Sequence, residues 1–338
     1  MRPQGGPLAL ALGALGLCNT VDAQPRWEEA LRPGRHGGRV LADLASGDAL
    51  LSSFGGAPLG ARNQARQSAE ARFRQALALD PENPEALAGV ADLEERDGHH
   101  GAAAALARRS LELDPVGPHA PDAWFTLSLA HTRQRRFDLA RDDYLRLLTF
   151  HAGEHYRALV WGNLADTYIS LHALGPAIEA YEACVAANPQ YALGWLGLAV
   201  SYDRDAREDA TVAAERALRE ASDEEARAGA HGHVPAQGVV ETAALVRALN
   251  SPNVFFEPPY DRHYYDGVAQ EALARAHGPG GVAPPDTARA QRAREAASQS
   301  WAAFLRDAPQ DDPWRPRVQA HLRRLGRVAP RPARGRGP

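Results

Sequence analysis

A chain that repeats its pattern of large and small apolar residues at a fixed period cannot build one irregular core. Each unit must bury its apolar face against the next copy. Here Ala69, Phe73, Ala76 and Pro81 recur 34 residues later as Ala103, Ala107, Ser110 and Pro115, and both units close on LxLDP phrases (LALDP and LELDP). After a three-residue insertion around residues 116–119 come Trp124, Leu127, Ala140, Tyr144 and Leu147. The next unit carries Trp161, Leu164, Ala165, Tyr168, Ala177, Tyr181, Cys184 and Pro189, and Trp195, Leu198, Ala199 and Tyr202 follow it. Within a unit the apolar residues fall three or four apart, which places them on one helical face, and a polar or glycine-containing turn separates two such stretches. Each unit therefore reads as a helical hairpin. Ala165, Ala177 and Cys184 stand where two helices approach most closely, and Pro81, Pro115 and Pro189 stand where the second helix must stop. Trp124, Trp161 and Trp195 read as core residues.

The Trp161 unit fits the W-x2-L-G-x2-Y…A-x3-F-x2-A…P pattern at nearly every position, and the array resembles the tetratricopeptide repeat family. The resemblance implies an all-α, right-handed superhelical solenoid of antiparallel helical hairpins. It also implies a concave groove, lined by the first helix of each unit, that holds an extended peptide or a partner helix. Carried onto this sequence, the groove comprises Phe125, Leu129 and Arg133; Leu159, Asn163, Asp166 and Ile169; and Leu193, Leu196, Val200 and Arg204. One subgroup of the family clamps a C-terminal carboxylate with lysines, asparagines and an arginine. Asn163 matches one of those positions, but Phe125, Leu129, Leu193 and Gly197 stand at the others, so no such clamp is expected. The groove is expected to be markedly apolar and to suit an amphipathic helix or hydrophobic segment.

The ends are less regular. Residues 1–23 read as a signal peptide: Arg2, an uncharged stretch at 7–17, then Val21 and Ala23 before a cut at Gln24. That pattern points to export, to the periplasm of a bacterial envelope; a cytosolic adaptor and a lipoprotein anchored through Cys18 are the alternatives. Residues 24–60 read as a linker or atypical cap with a helix at 40–54, 61–228 as the array, 229–328 as a helical extension with a degenerate repeat, and 329–338 as a basic disordered tail. In the extension, Tyr264, Val268 and Leu273 share one helix, and Ala297, Trp301, Phe304 and Pro309 repeat the spacing of a second. A last helix at 314–325, rich in arginine, is expected to face solvent as a terminal cap. Val254, Phe255 and Phe256, kept from helix by Pro252, Pro258 and Pro259, form an apolar strip expected to dock on the chain itself or to compete for the groove.

Composition removes several enzyme classes. All 38 basic residues are arginine, so a phosphate-loop lysine, a kinase lysine and a Schiff-base lysine are absent. His151, Glu154 and His155 spell an inverted zinc-protease string, the one different-class alternative, a zinc-dependent hydrolase; Gly153 and a position between two hairpins argue against it. No cofactor, metal or catalytic residue is expected. The net charge of -4 gives no general attraction for nucleic acid, and membrane contact is expected only through Cys18 or the arginine tail. The expected partner is another protein.

Overall fold

The computed structural model describes residues 59–150, 154–229, 254–281 and 285–328. Among them are twelve α-helices and no strand: α1 Leu59–Leu79, α2 Pro84–Arg96, α3 His100–Leu113, α4 Ala120–Arg133, α5 Phe137–Leu147, α6 Glu154–Ser170, α7 Leu174–Ala187, α8 Ala192–Arg204, α9 Ala210–Gly229, α10 Asp261–Ala276, α11 Thr287–Asp307 and α12 Arg315–Val328. The leader at 1–23, the helix at 40–54, His151, the linker from residue 230 and the tail at 329–338 lie outside the described residues. The described residues form two compact units, one ending at His172 and the other starting at Ala173.

In the first unit each helix packs on its sequence neighbour, and α2 also touches α4, so these two first helices lie side by side. Local chemistry sets the boundaries. Asn83 caps α2 by accepting a hydrogen bond from the Ala86 amide at 2.8 Å, with Pro84 pre-set in the first turn. The hairpins α2–α3 and α4–α5 each turn through one residue in the left-handed region, Gly98 (φ 83°) and Arg135 (φ 60°), and His172 (φ 57°) takes the same conformation after α6. The amide after it reaches back to the helix before the turn, His99 to the Glu94 carbonyl at 2.8 Å and Arg136 to the His131 carbonyl at 2.9 Å, closing a Schellman motif. The core is built from the repeat positions. Phe73, Tyr144, Leu147 and Leu164 are fully buried, with Ala69, Ala76, Ala103, Ala107, Ala140 and Ala165 between them. A Cβ on Gly89 would come within 2.2 Å of the Phe73 ring, so the ring's width dictates a glycine on the next helix.

The second unit repeats this logic. A Cβ on Gly197 would meet the Tyr181 ring at 2.1 Å, and Ala206 (φ 57°) makes the left-handed turn. Helices α10 and α11 form the most extensive hairpin, α10 also packs on α8 and α9, and α12 packs on α11. Ala297, Trp301 and Phe304 of α11 are fully buried, and the Tyr264 ring meets Trp301 and Phe304 edge-on at 5.0 and 5.5 Å.

Two details differ from expectation. Trp124, Trp161 and Trp195 are only partly buried; they lie over the core edge, and Trp195 donates to the Pro189 carbonyl at 2.8 Å. Helix α12 is not a simple solvent-facing cap, because Val318 and His321 are buried and three of its arginines bond inward.

Candidate functional site

In the first unit the stripe expected to line the groove runs over α4 and α6. Phe125, Leu129, Arg133, Leu159, Asn163 and Ile169 are half-buried, and Asp166 is exposed. Phe125 is held between two tyrosines, its ring centre 5.6 Å from Tyr156 and 6.5 Å from Tyr144. Tyr156 is tied to α4 by donating its hydroxyl to the Pro121 carbonyl at 3.3 Å. An aromatic cluster therefore rises from the core to the surface of the first-helix layer.

The same face is more acidic than its apolar spacing suggested. At the matching positions of α2 and α4 stand Asp92, Glu95 and Asp122, and Asp166 follows on α6. Glu95 faces His100 at 3.3 Å and Arg133 at 3.9 Å, while Asp92 pairs with Arg96 at 2.8 Å. Asp122 is exposed. Desolvation and the nearby charge of Asp92 push its carboxyl up to about 6. Tyr156, desolvated and beside Asp122, has its phenol pushed well above the usual tyrosine range.

In the second unit the corresponding residues have another fate. Leu193 is half-buried, but Leu196, Val200 and Arg204 are core, a correction to their reading as groove lining. The reason is helix α10 stacked on α8. The Arg204 guanidinium donates to Asp261 at 2.8 Å with 1% of its side chain exposed, and it lies over the rings of Tyr264 and Trp314 at 4.5 and 5.1 Å. Buried so, it cannot meet a partner.

Beside it lies a polar cluster that no local sequence signal announced. Asp203 of α8 accepts from Tyr264 of α10 at 2.7 Å, from Arg317 of α12 at 2.7 Å and from His321 of α12 at 2.9 Å. His321 also meets Glu271 of α10 at 2.7 Å and stacks on Trp301 at 4.5 Å, while Trp301 donates to Glu271 at 2.9 Å and Arg324 closes on its other oxygen. Burial alone would raise both acids, but hydrogen bonds from His321 and its neighbours hold Asp203 and Glu271 below the usual carboxylate range. Burial would lower His321, and the two carboxylates outweigh it and raise its pKa. The buried members Asp203, Glu271 and His321 all bond to other members of the cluster, an arrangement that fixes α8, α10 and α12 against one another.

Val254, Phe255 and Phe256 are half-buried; Phe256 lies edge-on to Tyr265 of α10 at 5.1 Å, and Tyr265 shares a 3.1 Å hydrogen bond with Tyr181. Glu154 and His155 open α6, whereas His151 lies outside the described residues. Among the described residues no group of three His, Cys, Asp or Glu side chains could hold a metal ion, and no helix is long and apolar enough to cross a membrane.

Residues 158–191 match the sequence profile of the tetratricopeptide repeat. No curated protein matches the chain significantly. Similar solved structures include MamA, at 20% identity over 51% of this chain and 98% of that chain with a TM-score of 0.43. Pseudomonas aeruginosa pilF is 16% identical over 85% of this chain and 99% of that chain, TM-score 0.46. A tetratricopeptide repeat protein from Parabacteroides merdae is 13% identical over 86% and 99%, TM-score 0.42.

Proposed function

We propose a scaffold role from one premise: the chain is a tetratricopeptide repeat protein. In this reading it performs no catalysis. It binds a peptide or amphipathic helix of another protein on the first-helix layer of the first unit, through Phe125, Leu129, Leu159 and Ile169. One observation carries it. The interior aromatic positions of the repeats, Phe73 and Tyr144, are filled and buried, whereas Phe125 stands half-open at the surface with Tyr156 bracing it. An aromatic cluster braced in place and left in contact with water is what a docking surface needs, because its order is established before the partner arrives. The proposed setting is a bacterial envelope assembly, resting on the leader-like pattern at residues 1–23.

The test is capture of partners from a native envelope fraction by the wild-type chain and by Leu129→Arg. Loss of every specific partner from a Leu129→Arg protein that melts normally is the expected result. Full retention overturns the surface. The setting has its own check: the mature chain is expected to begin at Gln24, and an intact Met1 overturns the envelope assignment.

A further inference from the structure

The chain's charge is polarised along its length. Eight of the 38 arginines follow Asp312 and no acid does, so residues 1–312 carry 30 basic side chains against 42 acidic ones. A body with that excess repels an anionic surface, and the C-terminal end attracts one.

The structure divides these arginines by task. Arg315 donates to the carbonyls of Leu305 and Ala308 at 2.8 Å, Arg317 lies 2.7 Å from Asp203, and Arg324 closes on Glu271. Those three hold α12 on its unit. Arg323 is exposed, and the sequence continues with Arg327, Arg331, Arg334 and Arg336; residues 329–338 lie outside the described residues. The apolar side chains of α12 are already engaged, for Val318 is buried and Leu322 and Leu325 are half-buried. A helix anchored in this way has no open apolar face to sink into a bilayer, so its contribution to a surface is charge. A guanidinium grips a phosphodiester through paired hydrogen bonds, and each basic side chain near an anionic leaflet strengthens binding about fivefold.

We infer that the C-terminal end of the chain, Arg323 together with the four arginines that follow Arg324, docks on an anionic lipid surface at the level of the headgroup phosphates, without insertion. Nucleic acid offers phosphates too, but two features favour the lipid. After Trp314 the sequence has no aromatic side chain on which a base could stack, and the leader-like pattern at residues 1–23 routes the chain to membranes. The second feature rests on the envelope setting proposed above, which N-terminal sequencing decides separately.

Sedimentation of the full chain at low salt tests it, with vesicles of phosphatidylcholine alone, with vesicles that also contain phosphatidylglycerol, and with duplex DNA as competitor. The chain should sediment with the phosphatidylglycerol vesicles only and come off at roughly 1 M salt, where the screening length is about 3 Å. Arg331→Gln, Arg334→Gln and Arg336→Gln combined should weaken binding about a hundredfold, and Arg323→Gln about fivefold, both with unchanged melting curves. Arg317→Gln should do the reverse, lowering the melting temperature and leaving vesicle binding as it is, because its charge is committed to Asp203. Equal sedimentation with both kinds of vesicle, or binding that the triple variant does not move, would overturn the inference. Preference for duplex DNA over the vesicles at equal phosphate would overturn the lipid assignment. All three results leave the docking surface of the first unit untouched.

Discussion

Arg133 and Arg204 occupy the same position in their repeats, near the end of a first helix, and they lead opposite lives. Arg133 is 24% exposed and faces Glu95 at 3.9 Å; Arg204 is 1% exposed, bonded to Asp261 and clasped by two rings. Neither difference is written in the residue itself. Each arginine takes its role from the helix that stacks beside it: for Arg204 that is α10, which brings Asp261 and Tyr264 onto it. A position in a repeat thus specifies a direction, and the neighbouring unit decides whether that direction meets water or protein.

The largest expected effect breaks the comparison at its buried end. Arg204→Ala should cost about 3–5 kcal/mol, because Asp261 is left as an uncompensated buried charge, whereas Arg133→Ala should cost about 1 kcal/mol or less, as for exposed pairs. Urea denaturation of both variants checks the ratio; near-equal losses would mean that the two environments are alike. Next come the glycines. Gly89→Ala and Gly197→Ala should each cost about 1–3 kcal/mol through overpacking against Phe73 and Tyr181, while Gly101→Ala, which meets nothing within 4 Å, should be neutral or slightly stabilising. Ala177→Leu, at a fully buried contact of α7, should fall in the same about 1–3 kcal/mol range.

A smaller effect of opposite sign is expected at the turns. Gly98 takes its left-handed conformation freely, but Arg135 and Ala206 take it against the preference of an L side chain. Ala206→Gly should therefore raise stability by about 0.5–1 kcal/mol despite the looser unfolded chain, and Gly98→Ala should lower it by a similar amount, both read as melting shifts. The last prediction changes no atom but a proton. The folded pKa of His321 lies above the ordinary value of 6.5, so its contribution is complete below that value and is lost as pH rises through the raised folded one. Amide exchange in α12 should accelerate on the alkaline side, and His321→Gln should remove that pH dependence. Asp203 and Glu271 are depressed, so their contribution fails only as pH falls through their low folded values.

The period was legible because it rests on residues that cannot be exchanged cheaply. The small Ala and Cys at close approaches, the aromatic rings between them and the closing prolines recur at spacings that a helix converts directly into a face. The first half of the candidate surface was legible for the same reason, since Phe125, Leu129 and Leu159 follow the repeat register. Of its acidic residues Asp166 follows from the same register, whereas Asp92 and Asp122 are charged side chains at positions that the apolar pattern does not mark. The misplacement of Leu196, Val200 and Arg204 had a different cause. Their burial depends on α10, more than fifty residues further along. The Asp203, Glu271 and His321 cluster was illegible outright, because its members lie 50 and 118 residues apart and each alone is an ordinary polar residue on a helix.

The anchoring of α12 gives the molecule a direction. A stack of hairpins ordinarily frays from its ends, since a terminal unit has only one neighbour. Here the terminal helix inserts Arg317 and His321 against Asp203, Arg324 and His321 against Glu271, and hooks Arg315 over the carbonyls of Leu305 and Ala308 at 2.8 Å. A machine that grips the C-terminal end and pulls, as a processive protease does, meets its hardest step first, for peeling α12 away strands two buried carboxylates before any hairpin yields. Traction on α1 meets Phe73 in its apolar contacts and the exposed ion pair of Arg66 with Asp97, which strand no buried charge when they part. The same chain should resist or surrender according to which end is seized.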